Sequence, residues 1–128
     1  MFAPSPQLQL VLDRSPTSVR EVRSKLRKLV PAGRSDKVID DVVLLASELV
    51  TNAMIHTVGA VGVRAWRSAA SEWRVEVSDE SQARLRVPTM PPVSSVSGRG
   101  LSIVDAISTR WGSLNTAGGK RTWFEICP

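Results

Sequence analysis

The chain has 128 residues, 42% of them hydrophobic, with a formal net charge of +5 and a single cysteine, Cys127. That length suits one domain with its own apolar core, while a lone cysteine excludes an internal disulfide or a thiolate metal cluster and fits a reducing cytoplasm. The basic excess points to an anionic partner (nucleic acid, nucleotide phosphate or an acidic protein surface), no run is apolar enough to span a bilayer, and nothing after Met1 has the pattern of a signal peptide.

Alternating Leu8, Leu10 and Leu12 predict a short first strand, and Asp13-Arg14-Ser15-Pro16 ends it. Ser15 before Pro16 suits the start of a helix reaching about Val30. At about 100° per residue, Val19, Val22, Leu26, Leu29 and Val30 share one face of it and Arg20, Arg23 and Arg27 the other, an ordinary amphipathic helix whose basic face is solvated or, as the alternative, a docking surface. Pro31-Ala32-Gly33-Arg34 breaks it, and Ser35 or Asp36 is placed to cap a longer helix reaching about Thr57. Val61 to Arg67 and Trp73 to Asp79 read as a strand hairpin around the polar turn Ser68 to Glu72.

Glu80 to Ser97 carries Pro88, Pro91 and Pro92 without a period and reads as a loop. Gly98-Arg99-Gly100 then opens an apolar stretch, Leu101, Ile103, Val104 and Ile107, that predicts a third helix with a glycine-rich entry. Trp111 to Asn115 and Thr122 to Ile126, about Gly118-Gly119, predict a closing hairpin. The order implies a single α+β domain over the whole chain, a two-layer sandwich of a largely antiparallel mixed sheet covered on one face by about three helices.

The long helix carries the first chemical signal. Its expected solvent face is Lys37, Asp40, Ser47 and Thr51, and most other positions are apolar. Yet Glu48, Asn52 and His56, each four residues from the last, form a second polar stripe, set off by Leu44 and Ile55. A carboxylate and an amide on successive turns are hard-oxygen donors for Mg²⁺, and the carboxylate can also act as a base toward a hydroxyl. A hydrogen-bonded polar strip, or partial exposure of that face, accounts for the same pattern. His56 has no second histidine for a zinc site.

Two further signals accompany the stripe. Glycines just before a helix let backbone N–H groups close on an anion, as Gly98 and Gly100 would, although a plain turn explains them equally. Neither a Walker loop nor a dinucleotide fingerprint surrounds them. Asp79, at a strand end, can cap a turn or accept a hydrogen bond from an exocyclic amine.

In this order, the pieces resemble the Bergerat-fold (GHKL, histidine-kinase-like) ATP-binding family. Glu48-Leu49-Val50-Thr51-Asn52-Ala53 resembles its N-box, Asp79-Glu80-Ser81 its adenine-binding aspartate motif, and Gly98-Arg99-Gly100-Leu101 its second glycine box. Gly119-Lys120-Arg121-Thr122-Trp123-Phe124 resembles the strand whose threonine helps bind adenine. Within the family, Glu-Leu-Val-Thr-Asn-Ala-x-x-His and the Arg-Trp-Gly segment are similar to the small anti-sigma-factor serine/threonine kinases. Ser81 and Ala83 depart from the pattern, standing where glycines usually follow the aspartate.

The resemblance implies ATP and Mg²⁺ as ligands, with Asn52 holding the metal and Glu48 the base that activates a substrate hydroxyl. It implies that Asp79 and Thr122 bind adenine, that Gly98, Arg99, Gly100 and Leu101 contact phosphate, and that His56 is accessory. The implied partners are a sigma factor and an anti-sigma-factor antagonist, the latter phosphorylated on serine, and a homodimer is open. A nucleotide-dependent binding module without catalysis is the alternative. A basic nucleic-acid-binding regulator ranks below both, because the chain has no helix-turn-helix pattern, only 5% aromatic residues and no tyrosine for stacking; no direct nucleic-acid contact is expected.

Overall fold

A computed structural model of the chain describes residues 2–79 and 98–128, and of residues 98–101 the backbone alone. The elements are β1 (Leu8–Leu12), α1 (Ser18–Arg27), α2 (Ile39–His56), β2 (Val61–Arg67), β3 (Trp73–Asp79), α3 (Gly98–Ile107), β4 (Arg110–Thr116) and β5 (Gly119–Ile126). The strands form one sheet in the order β1-β2-β3-β5-β4, with every pairing antiparallel. The fold is thus the expected α+β sandwich. The predicted loop Glu80 to Ser97 lies outside the described residues.

Side chains alternate across a strand, and one face of this sheet is apolar. Val61, Val63 and Ala65 of β2, Val75 and Val77 of β3, and Phe124 of β5 are buried on it. Against them pack Val22 and Leu26 of α1, Val42, Leu45, Leu49 and Val50 of α2, and Val104 of α3. Each such side chain taken from water contributes about 1.5–3 kcal/mol, so α2, which contacts β2, β3, α1 and α3, is the most firmly held of the described helices.

Both helix entries differ from the sequence expectation for the same reason: a side chain caps the turn before the helix. Asp13 Oδ1 accepts from the Ser15 N–H at 2.9 Å and the Ser18 hydroxyl at 3.0 Å, and α1 begins at Ser18. Asp36 Oδ1 accepts from the Val38 N–H at 3.0 Å, while Oδ2 takes the Arg67 guanidinium at 2.8 Å and the Trp73 indole N–H at 3.1 Å. Held this way, Asp36 stands before α2, which starts at Ile39.

Ser47, expected on the solvent face, is buried: its hydroxyl donates to the Val43 carbonyl at 2.7 Å and accepts from Arg23 Nε at 3.0 Å. Arg23 therefore bridges α1 to α2 rather than resting in solvent, and Arg27 joins Asp40 at 3.0 Å. In the last hairpin Gly119 pairs with Thr116, so the turn is Ala117-Gly118.

Candidate nucleotide site

Strand register fixes which sequence-predicted residues meet. Leu12 pairs with Val61, Val61 with Asp79, and Asp79 with Lys120, so the end of β1, the start of β2, the end of β3 and the start of β5 share one end of the sheet. Because α2 ends at His56, five positions before Val61, its C-terminal turns reach that end too. Meanwhile α3 ends at Ile107 just before Arg110, whose partner Glu125 pairs with Arg74 at the opposite end. The first turn of α3, Gly98 to Leu101, is the end of that helix farther from Arg110.

Alternation then sets the face. Asp79 is two residues from Val77, and Thr122 is opposite Val77, so both share the helix-covered face. Both are half-buried. The Thr122 and Ser113 hydroxyls lie 3.3 Å apart, which adds Ser113 of edge strand β4 to the site. Nothing in the sequence singled out Ser113, because its relation to Thr122 exists only through the register.

On α2, Glu48 and Asn52 are half-buried and His56 is exposed. The flanking Leu44 and Ile55 are 40% and 60% exposed. The polar stripe is thus on the helix's accessible side, the partial exposure that the sequence left open. This accessibility is what a ligand site needs.

Arg14 is the residue that the sequence reading passed over. It takes a left-handed backbone conformation, φ 63°, rare for a side chain of its size. From there its guanidinium donates to the carbonyls of Met54 and Thr57 at 2.7 Å each and of Gly59 at 3.3 Å. Met54 carries one of the acceptors an α-helix leaves unmet at its C-terminus, and Thr57 and Gly59 follow the helix. Arg14 so ties the β1–α1 connection to the end of α2 that carries Asn52 and His56.

An ATP–magnesium ligand fits the donor set. Asn52 and Glu48 offer hard oxygens on successive turns of an accessible helix face, and Mg²⁺ characteristically uses one or two protein oxygens with waters and phosphates. Among the described residues, no group of three His, Cys, Asp or Glu gathers, and no helix is long and apolar enough to cross a membrane. The side chains of Arg99 and Leu101 lie outside the described residues, as do Ser81 and Ala83.

The sequence profile described as the histidine kinase-like ATPase domain matches residues 12–126. Among solved structures, that of the RsbU and RsbW domains of Rv1364c from Mycobacterium tuberculosis superposes with a TM-score of 0.69 at 26% identity, over 98% of this chain and 33% of that one. The histidine kinase domain from Erythrobacter litoralis EL346 blue-light activated histidine kinase gives a TM-score of 0.56 at 18% identity, over 86% of this chain and 59% of that one, a likeness of fold. The chain thus spans about a third of the first of these proteins and under two thirds of the second. No curated protein matches the sequence.

Proposed function

We propose, from the premise that the chain belongs to the histidine kinase-like ATPase domain family, that it is an ATP- and magnesium-dependent regulator of anti-sigma type. In this reading it is a serine/threonine protein kinase that phosphorylates an anti-sigma-factor antagonist and sequesters a sigma factor. The observation that supports it is that Asp79 and Thr122 share the helix-covered face near the end of the sheet that the accessible C-terminal turns of α2, with Asn52, lead into. The likeness to a structure containing an RsbW domain supports the regulatory part.

ATP bound there supplies the phosphoryl group, with magnesium balancing its charge. Asn52 would hold the cation through its amide oxygen. Asp79 accepts from the adenine amine, and the Thr122 hydroxyl, linked to Ser113, supports the same ring edge. Amides at Gly98 and Gly100 face phosphate, where the positive helix end adds to the attraction. Glu48, one turn before Asn52, would remove the proton from the serine hydroxyl as its oxygen bonds to the γ-phosphorus and the bond to the departing ADP breaks, so that transfer rests on positioning rather than covalent chemistry with the protein.

The test is incubation with labelled ATP and the cognate antagonist. Label on the antagonist, lost in Glu48→Ala while ATP still binds, supports the kinase. ATP binding without any label leaves the nucleotide-dependent binding module in its place.

A further inference from the structure

All three described helices pack on one side of the sheet, and its other side carries a different chemistry. Arg64 joins Glu76 at 2.8 Å, Arg74 bridges Glu76 at 3.0 Å to Glu125 at 2.6 Å, and Arg110 joins Glu125 at 2.8 Å. Arg121 stands 3.9 Å from Glu76. Among the described residues, four arginines against two glutamates leave two positive charges on this face. The distribution in depth strengthens the bias: the Glu76 and Glu125 side chains are 8% and 13% exposed, whereas Arg64, Arg110 and Arg121 are 39%, 60% and 37% exposed. Solvent meets guanidinium with the carboxylates beneath it.

Two features give that charge a shape. Above Gly62, which has no side chain, lies a cavity of about 280 Å³ walled by Arg64 and Arg121, with Ser78 and Gln9 adding polar groups and Glu76 already bound by its arginines. At opposite edges of the same face stand Val11 on β1, 77% exposed, and Leu114 on β4, 53% exposed. A basic centre between apolar margins matches a protein surface better than a nucleic acid, which has no aliphatic groups to cover Val11 and Leu114. A second copy fits poorly, since two faces with the same surplus repel.

We infer that this sheet face docks an acidic protein partner, with one of its carboxylates entering the cavity above Gly62 between Arg64 and Arg121. The surface lies across the sheet from the nucleotide site, so it stands whether or not the chain transfers phosphate. Trp66 and Trp123 share the face, with Arg64 5.4 Å and Arg74 4.4 Å from their ring centres, and so report on it.

The experiment titrates the full chain with a twelve-residue peptide alternating Glu and Leu, following tryptophan fluorescence, beside a Lys/Leu peptide and a twelve-nucleotide oligothymidylate. The Glu/Leu peptide is expected to bind, more weakly as salt rises, and Arg121→Glu to weaken it at least tenfold while ATP affinity stays within twofold. Arg121→Ala, expected to weaken it less, serves if Arg121→Glu fails to fold. Absence of peptide binding, equal binding of the Lys/Leu peptide, preference for the oligonucleotide, or a sheet-face dimer broken by Arg121→Glu overturns the proposal.

Discussion

The Arg14 guanidinium donates to the Met54 carbonyl, 40 positions along the chain, at 2.7 Å. Because the same group also meets Thr57 and Gly59, its loss leaves one carbonyl of the last turn of α2 and two just beyond it to water, and lets that turn fray. Arg14→Ala is expected to lower unfolding stability by about 1.5–3 kcal/mol, the range for hydrogen bonds involving a charged group. ATP affinity should fall with it even where the protein remains folded, because Asn52 sits two residues before Met54. Urea denaturation and calorimetric ATP titration check both. Unchanged affinity in a folded Arg14→Ala protein would count against this coupling.

At the nucleotide site, two substitutions should fail in distinguishable ways. Asn52→Ala removes a cation ligand, and Asp79→Ala removes the acceptor for adenine, so each should weaken ATP–magnesium binding by about tenfold or more, roughly 1.4 kcal/mol. With EDTA in place of magnesium, the Asn52→Ala defect should largely vanish while that of Asp79→Ala persists. Equal affinity of both variants and wild type would undo the assignment of these residues.

Asp36 and Arg67 illustrate what a sequence hides. Their side chains are 0% and 7% exposed and meet at 2.8 Å across 31 positions. Removing one member strands a buried charge, so Asp36→Leu should cost about 3–5 kcal/mol, whereas Asp36→Leu with Arg67→Met should cost less. A double-mutant cycle by chemical denaturation decides it; additive losses would contradict the pairing.

The same contrast explains which parts of the fold were legible. Val61, Val63 and Ala65 alternate with Gly62, Arg64 and Trp66, a local pattern that yields β2 and its face without any partner. Glu48, Asn52 and His56 were likewise legible as one stripe, because helix geometry relates them within the element. Asp36, Ser47 and Arg14 were not, since each takes its place from a residue far along the chain: Arg67, Arg23 and Met54. Thr122 was expected at the site only through family resemblance, and Ser113 beside it follows from a register that no single strand encodes.

Acid should unfold the protein through a small set of carboxylates. Burial raises the pKa of Asp36, Glu76 and Glu125, but hydrogen bonds and charge from Arg67, from Arg64 and Arg74, and from Arg110 and Arg74 outweigh it and hold all three below their ordinary values of 3.8, 4.5 and 4.5. A folded-state pKa below the unfolded one gives stability that is fully present above the ordinary value and lost as pH falls through the depressed one. The melting temperature should therefore change little through these groups between about pH 5 and 7 and drop steeply below about pH 4. Glu76→Gln should shallow that drop while lowering stability at neutral pH. Melts of both proteins across this range test the sign.

Gly112, the glycine of the Arg110-Trp111-Gly112 segment, has its role in packing. A β-carbon there would lie 3.0–3.1 Å from atoms of the Trp123 indole, its cross-strand partner. The ring cannot simply retreat, because Arg74 lies 4.4 Å from its centre and is itself held by Glu76 and Glu125. Gly112→Ala must therefore displace the indole, and the usual strand benefit of replacing glycine is overridden by crowding of about 1–3 kcal/mol. Reduced stability with a shifted tryptophan emission is expected. Trp123→Leu, which removes the ring, should make Gly112→Ala close to neutral. If the two losses instead add, the contact between Gly112 and Trp123 does not set the requirement for glycine.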